Sequence, residues 1–204
     1  MYRPTYTINE NQQLSLELIK NYPLGLLISN STVNELEFSY LPFYLTEEAG
    51  QIYLISHCSK SNPQWKTMDN KEAIVCFQGP NRYISPTMYH TTDLNVPTWN
   101  YAVVHAHGTV EILTDGQSLN KILHEATHIF ESLNETNWKY DIPASLQVKL
   151  EAGIIGIKMK VTKLESKFKL SLNRNQEDYN AVVNFLKNSN KSTDHDLLSW
   201  MQKT

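Results

Sequence analysis

The segment Tyr101–Leu113 reads YAVVHAHGTVEIL and has the clearest strand pattern in the chain. Its side chains alternate between two faces with the period of two that a β-strand imposes. One face is apolar and consists of Val104, Ala106, Val110 and Ile112. The other face mixes aromatic, histidine and polar side chains, namely Tyr101, Val103, His105, His107, Thr109 and Glu111. We therefore predict that the first face packs in a core and that the second lies at a site or in solvent.

Further strands are predicted on both sides of this segment. Gly153–Lys163 alternates in the same way, and the N-terminal half adds strand candidates at Leu24–Ser29, Glu35–Leu45, Gln51–His57 and Ala73–Gln78. Helices are predicted at Gln12–Asn21, Gln117–Leu133, Ala144–Glu151, Gln176–Asn188 and Asp194–Gln202. Several strands with a few helices predict a mainly β fold with α additions, a β-barrel that is more helical from about residue 115 to 204.

Composition narrows the class of protein. The 204 residues contain 41% hydrophobic residues and no repeat or linker, so a single domain over residues 1–204 is predicted. The formal net charge of −3 argues against strong nonspecific binding to DNA. Two cysteines, no apolar signal segment and no run of about 18 apolar residues favour a reduced cytoplasmic protein without a membrane span.

Four short runs rich in amide, aromatic, glycine and proline residues stand at the ends of the predicted strands. They are Asn62–Trp65, Phe77–Pro80, Tyr83–Pro86 and Val96–Tyr101. Amide side chains hydrogen-bond the edge of a heteroaromatic ring, and Trp and Tyr supply flat apolar contacts. The runs therefore favour a planar cofactor with polar edges.

The same runs resemble the PaiB-type FMN-binding negative transcriptional regulators. The resemblance includes His57 and Val104-His105, and it extends to Met1-Tyr2 and to a later block from Leu164 to Arg174. It implies an FMN-binding split β-barrel with a helical C-terminal part. It further implies a homodimer that holds the flavin at the subunit interface. The family name also implies a link to DNA, but the sequence has no helix-turn-helix pattern with a basic recognition helix.

The resemblance also implies cofactor-binding residues. A turn rich in hydroxyls and positive charge is predicted to hold the phosphate through Lys60, with Ser59 and Asn62 as further donors. From their own chemistry and position, Gln78 beside Gly79 is predicted to read the edge of the flavin ring, and Trp99, Asn100 and Tyr101, which precede the long strand, to wall it. The alternatives are a solvated turn at Ser59–Asn62, a simple chain reversal after Gln78, and dimer packing by Trp99 and Tyr101. Trp65 is expected in the core.

A competing motif, HEATH, spans His124–His128 and fits the pattern of zinc peptidases. However, the apolar stripe of its helix places His124 and His128 on the opposite side, facing solvent rather than a cleft. No metal site is therefore predicted there. His57 and His105 are open to two interpretations, either a metal or acid–base pair or structural hydrogen-bonding residues.

A basic run near the C-terminal end of the last long strand is predicted to be a solvated strand face rather than a patch for phosphate or nucleic acid. It comprises Lys158, Lys160, Lys163, Lys167, Lys169 and Arg174. The leading hypothesis is thus an FMN-binding regulator. A flavin-dependent oxidoreductase or flavin reductase is the alternative, a zinc peptidase is remote, and no catalytic residue is assigned.

The substitution His124→Ala should leave folding and flavin binding almost unchanged. A solvent-facing helix residue away from special features contributes within about ±0.5 kcal/mol of stability. Urea unfolding and metal analysis of untagged protein check this expectation. Stoichiometric zinc in the parent protein that is lost in His124→Ala would contradict it, because a zinc site depends on each of its ligands.

Overall fold

The computed structural model describes residues 1–8, 11–32, 35–136 and 138–204. The strands are β1 (Leu24–Asn30), β2 (Leu36–Pro42), β3 (Tyr44–Glu48), β4 (Gln51–Ser59), β5 (Glu72–Ile84), β6 (Thr98–Leu113) and β7 (Ile154–Lys169). The α-helices are α1 (Gln12–Asn21), α2 (Trp65–Met68), α3 (Gly116–Leu133), α4 (Ala144–Ala152), α5 (Gln176–Lys187) and α6 (Ser192–Met201). The mainly β fold with α additions is confirmed. No helix in these ranges is long and apolar enough to cross a membrane.

The alternation that predicted β6 is present in the structure. Ala102, Val104 and Ala106 are fully buried, whereas His105 and His107 on the other face are half-buried. Strand β7 follows the same rule, with Ile157 and Met159 fully buried and Lys160 exposed between buried neighbours. Both strands are longer than predicted, since β6 begins at Thr98 rather than Tyr101 and β7 continues to Lys169 rather than Lys163.

One predicted strand, Glu35–Leu45, is wrong, because it is two strands, β2 and β3, separated by Phe43. Pro42 ends β2, and proline has no N–H to donate to a continuing ladder. The Phe43 side chain is 1% exposed, and its N–H donates to the Pro23 carbonyl at 2.8 Å. The chain therefore leaves one ladder at Pro42 and enters another at Tyr44.

The strand order is β2-β1-β5-β6-β7-β4-β3, and the pairs β1–β2, β1–β5, β3–β4 and β4–β7 are antiparallel. Strands β2 and β3 thus stand at the two edges of the sheet although one residue, Phe43, connects them. A sheet whose edges are joined by a single residue has to curl upon itself. This closure makes the sheet a split β-barrel.

Contacts divide the chain into two compact units. The barrel unit comprises residues 19–77 and 105–164, and the terminal unit comprises residues 1–18, 78–104 and 165–204. Strands β5, β6 and β7 each contribute to both units. The single domain over residues 1–204 stays a prediction.

The core of the terminal unit joins α6 to the end of β7. The rings of Phe168 and Trp200 are stacked with centroids 6.0 Å apart, and both side chains are fully buried. Asp178 of α5 is also buried and accepts hydrogen bonds from the N–H and hydroxyl of Thr91 at 3.0 Å. These bonds, with a further one from Asn95, hold the pKa of the Asp178 carboxyl at about 2.

The core of the barrel unit depends on close approach at Gly25. Phe43 and Phe77 meet edge to face with ring centroids 5.9 Å apart. A Cβ atom on Gly25 would stand 2.5 Å from Val75 Cγ1, 2.8 Å from Phe77 Cε1 and 3.1 Å from Phe43 Cδ2. Glycine is therefore required at this position by space, since any side chain would displace the two rings.

The substitution Gly25→Ala should lower the free energy of unfolding by about 1–3 kcal/mol, the usual cost of overpacking a core. Equilibrium urea denaturation measures this change. Gly116→Ala is the matched control, because a Cβ there would meet its nearest atom, Glu151 Oε2, at an ordinary 3.5 Å. Equal unfolding midpoints for Gly25→Ala and the parent would show that the ring pair adapts without cost.

Candidate functional site

The turn that follows β4 contains two serine hydroxyls and one lysine. Ser59 and Ser61 lie with their Oγ atoms 2.7 Å apart, and the Ser61 N–H donates to Ser59 Oγ at 3.3 Å. The Lys60 N–H donates to the Gly153 carbonyl at 2.9 Å, which fixes the backbone of the turn. The Lys60 side chain is exposed, and no carboxylate among the described residues pairs with its ammonium.

Asn62, the third residue predicted for this turn, is tied into the barrel unit. Its Nδ2 donates to Ser39 Oγ at 2.8 Å, and its Oδ1 accepts the Gln64 N–H at 3.1 Å. Gln64 is 3% exposed, and its Nε2 donates to Ser29 Oγ at 3.0 Å and to the Glu37 carbonyl at 3.1 Å. The amide network therefore anchors the turn to β1 and β2.

Gln64 is the residue whose importance sequence reasoning missed. A buried amide in a low-dielectric surrounding requires partners, and this one finds them on strands far away in the sequence. No local pattern around Asn62–Trp65 indicates Ser29 or Ser39 as those partners. Trp65, expected in the core, is half-buried, and its indole N–H donates to the Lys60 carbonyl at 3.0 Å.

The residues predicted for the flavin ring lie in the terminal unit and differ in exposure. Gln78 is exposed on β5, and Trp99 is 52% exposed on β6. Tyr101 is half-buried on the same face of β6 as Trp99. Trp99 meets the Tyr83 ring edge to face at a centroid distance of 6.0 Å. These residues offer one amide and an exposed aromatic wall.

Asn100 points to the other face of β6 and is 1% exposed. Its Nδ2 donates to Ser171 Oγ at 2.8 Å, and its Oδ1 accepts from the same hydroxyl at 3.2 Å. Both ends of the amide are therefore engaged within the protein. This geometry suits a residue that positions its neighbours Trp99 and Tyr101 rather than one that contacts a ligand itself.

The histidines singled out in the sequence fall into two groups. His57 of β4 is half-buried, and burial lowers the pKa of its imidazole, so the ring is favoured in its neutral form. His124 and His128 are both exposed, as the helix pattern predicted. Within the described ranges, no group of three or more His, Cys, Asp or Glu side chains has a spacing that would hold a metal ion.

One detail of the HEATH helix differs from the prediction. His128 lines an apolar cavity of about 320 Å³ together with Phe43 and Phe130, so the prediction that neither histidine faces a cleft is wrong for His128. Glu125, the would-be general base, accepts the Tyr44 hydroxyl at 3.0 Å. Burial, and then this carboxylate, raise the pKa of the Tyr44 phenol. The Tyr44–Glu125 bond thus serves to hold α3 against β3.

The residues predicted for the phosphate and the residues predicted for the ring have the chemistry that the two ends of a flavin mononucleotide require. A phosphate requires cations and hydroxyl or amide donors, and the turn at Ser59–Ser61 offers an exposed ammonium and two hydroxyls. An isoalloxazine ring requires flat apolar contacts and hydrogen-bonding partners at its edge, which Trp99, Tyr101 and Gln78 can supply. The chemistry of these residues therefore fits FMN.

Comparison with known proteins also points to FMN binding. A family model described as "Putative FMN-binding domain" matches residues 1–163. The chain is 31% identical over 194 residues to a Bacillus subtilis protein named "Protease synthase and sporulation protein PAI 2", covering 92% of this chain and 90% of that one.

Two solved structures share the fold. One is a conserved hypothetical protein from Mycobacterium tuberculosis with a TM-score of 0.60 and 9% identity, covering 86% of this chain and 95% of that chain. The other is an FAD and heme binding protein from Mycobacterium smegmatis with a TM-score of 0.56 and 13% identity, covering 80% and 73% respectively. Together with the family model and the Bacillus relative, the fold shows that the chain belongs to the PaiB-type FMN-binding family, whose cofactor is a flavin.

Proposed function

We propose that this protein is a flavin-dependent regulator that binds FMN with groups from the two chains of a homodimer. The observation that carries the proposal is the turn Ser59–Ser61. Its Lys60 is exposed and has no carboxylate partner among the described residues, and its two serine hydroxyls lie 2.7 Å apart. A turn that carries an exposed cation and hydroxyl donors is suited to a phosphate dianion. The family model, which matches residues 1–163, supports FMN as the molecule that carries this phosphate.

Each predicted residue has a role in this proposal. Lys60 and Ser59 bind the phosphate, and Asn62 holds the turn through Ser39 while keeping its second N–H hydrogen for the ligand. Gln78 reads the ring edge, Trp99 and Tyr101 pack against the ring, and Asn100 positions both aromatic residues through Ser171. Bound flavin would supply one- or two-electron redox chemistry and a strong visible absorbance.

Regulation through a protein or small-molecule partner is favoured over direct reading of DNA. A recognition helix needs several basic residues to meet the phosphates of the major groove. Among the described helices, α1 to α5 each contain one Lys and no Arg, and α6 contains neither. The Bacillus relative is named for protease synthase and sporulation, which supports a regulatory role.

FMN should bind with a dissociation constant in the low micromolar range or tighter, and Lys60→Ala should weaken FMN far more than riboflavin. Only FMN has the phosphate, and the loss of one charge-assisted hydrogen bond costs about 1.5–3 kcal/mol. Flavin fluorescence during titration measures both ligands.

The matched control for this experiment is Lys66→Ala, since Lys66 is an exposed lysine on the neighbouring helix α2. It should leave the preference for FMN over riboflavin unchanged. No fluorescence change at about 100 µM FMN, well above such a dissociation constant, would refute the flavin site altogether. Equal weakening of FMN and riboflavin by Lys60→Ala would refute the phosphate role.

A second copy of the chain is the partner best suited to an apolar face on the sheet of the barrel unit. This apolar sheet face consists of Leu24, Leu26, Ile28, Phe38, Tyr40, Ile74 and Cys76 on β1, β2 and β5. The register supports it, because Tyr40 pairs with Leu26, and Phe38 with Ile28. Leu24, Phe38 and Tyr40 are 61%, 57% and 69% exposed, which is unusual for large apolar side chains on neighbouring strands.

Exposed apolar residues at the start of β6 and just before it add to the case for a dimer. Val96 is 69% exposed and Trp99 is 52% exposed. Aromatic residues are enriched in the buried centres of interfaces. The apolar sheet face is an addition that the sequence did not reveal.

Light scattering at micromolar concentration should therefore give the mass of two chains. Phe38→Asp should shift the protein to monomer, because a carboxylate would have to be desolvated in the contact. Phe185→Asp is the matched control, since Phe185 is 43% exposed on α5, outside both candidate surfaces. A monomeric parent protein, or a Phe38→Asp variant as dimeric as the parent, would refute the apolar sheet face as the interface.

A further inference from the structure

Three cations lie close together in the terminal unit. Lys167 and Lys169 share the outward face of the end of β7, and Arg174 follows in the next loop. Within the described residues, none of the three forms a salt bridge. Burial, and then the charges of Lys167 and Arg174, lower the pKa of Lys169. The protein thus keeps mutually repelling charges together at a cost.

Aromatic rings surround these cations. The Lys167 ammonium lies 5.5 Å from the ring centroids of both Tyr2 and Tyr101, and that of Lys169 lies 6.0 Å from Tyr101. Arg174 lies over the Tyr89 ring at 4.9 Å. We call the surface of Tyr2, Tyr83, Trp99, Tyr101, Lys167, Lys169 and Arg174 the cationic aromatic face.

Two rings of this face remain exposed although they contact other members of it. Tyr2 is 82% exposed and Tyr83 is 43% exposed. Cation–π contacts at such exposed positions contribute only about 0.5–1 kcal/mol each. They do not account for three neighbouring cations without an anion, whereas a ligand that brings both a ring and a phosphate would satisfy all of these groups.

The members of the face differ in how freely they can serve a ligand. Lys169 donates to the Trp99 carbonyl at 2.6 Å and to the Thr98 hydroxyl, so it mainly fixes the start of β6. Among the described residues, Lys167 makes one hydrogen bond, to the Tyr2 carbonyl at 3.0 Å, and an ammonium has three donors. Lys167 and Arg174 are therefore the groups with donors to spare.

We propose that the cationic aromatic face binds a nucleotide-type ligand, an aromatic ring that carries a phosphate, at a site separate from the Lys60 turn. Lys167 and Arg174 take the phosphate, and the ring packs against Tyr2. For Lys167 and Arg174, this proposal takes the place of the sequence-based prediction of a solvated strand face. The proposal rests on the proposed flavin site only in that Trp99 and Tyr101 adjoin both ligands.

The test is calorimetric titration of AMP, and separately of a 12-nucleotide single strand, into FMN-saturated protein. AMP should bind, and Lys167→Gln and Arg174→Gln should each weaken it about tenfold or more through loss of a charge-assisted bond. Tyr2→Ala should weaken AMP but not inorganic phosphate. Lys187→Gln, at an exposed position on α5, is the matched control and should change nothing. Tighter binding of the single strand than of AMP, with the same dependence on Lys167, identifies nucleic acid as the source of the nucleotide.

Three outcomes would overturn the proposal. AMP and the single strand could both fail to bind, or could bind equally well to Lys167→Gln, Arg174→Gln and the parent protein. Alternatively, Lys167→Gln rather than Lys60→Ala could remove the preference for FMN over riboflavin, which would make this face the flavin phosphate site. The two proposals fail separately, because Lys60→Ala should alter FMN binding and leave the affinity of a flavin-free sample for AMP unchanged.

Discussion

The barrel depends on one residue, Phe43, which connects the two edge strands of the sheet. Pro42 ends the β2 ladder, and Tyr44 starts the β3 ladder at the opposite edge. The Phe43 side chain fills the space beside Phe77, and the absent side chain of Gly25 leaves room for both rings. Because the connection is a single residue, the curvature of the sheet and the packing of these rings cannot change independently. The turn after β4 owes its position to this closed frame.

The sequence predicted those parts of the fold that depend on local periodicity. The period-two patterns of β6 and β7 and the apolar stripe of α3 are properties of consecutive residues, and each element lies where its pattern indicated. The division of Glu35–Leu45 was not predictable in this way. Nothing near Phe43 in sequence shows that Pro23 accepts its N–H or that Phe77 packs on its ring, since both contacts depend on the completed sheet.

The candidate site shows the same limit. The amide and aromatic runs indicated a planar ligand, and the exposed Lys60 ammonium fits the phosphate predicted for it. Asn100 and Gln64 belong to the same runs, yet both are buried. The Asn100 amide is hydrogen-bonded to Ser171, and the Gln64 amide is hydrogen-bonded to Ser29 and Ser39. Composition alone does not distinguish an amide that binds a ligand from one that joins two strands. That distinction requires the distant partners, which only the fold brings into contact.

The two faces of strand β2 contact different parts of the molecule. Ser39 points to one side, where it accepts from Asn62 and donates to Gln64 at 2.6 Å. Phe38 and Tyr40 point to the other side, on the apolar sheet face. A ligand that shifts the turn at Ser59–Asn62 would therefore move the same short strand that carries the proposed contact between chains. By thermodynamic linkage, any change that the ligand makes to chain association must be matched by an equal change that association makes to ligand affinity. The occupancy of the turn would then depend on protein concentration, so that the amount of this protein in a cell would itself set how sensitively it responds to its cofactor.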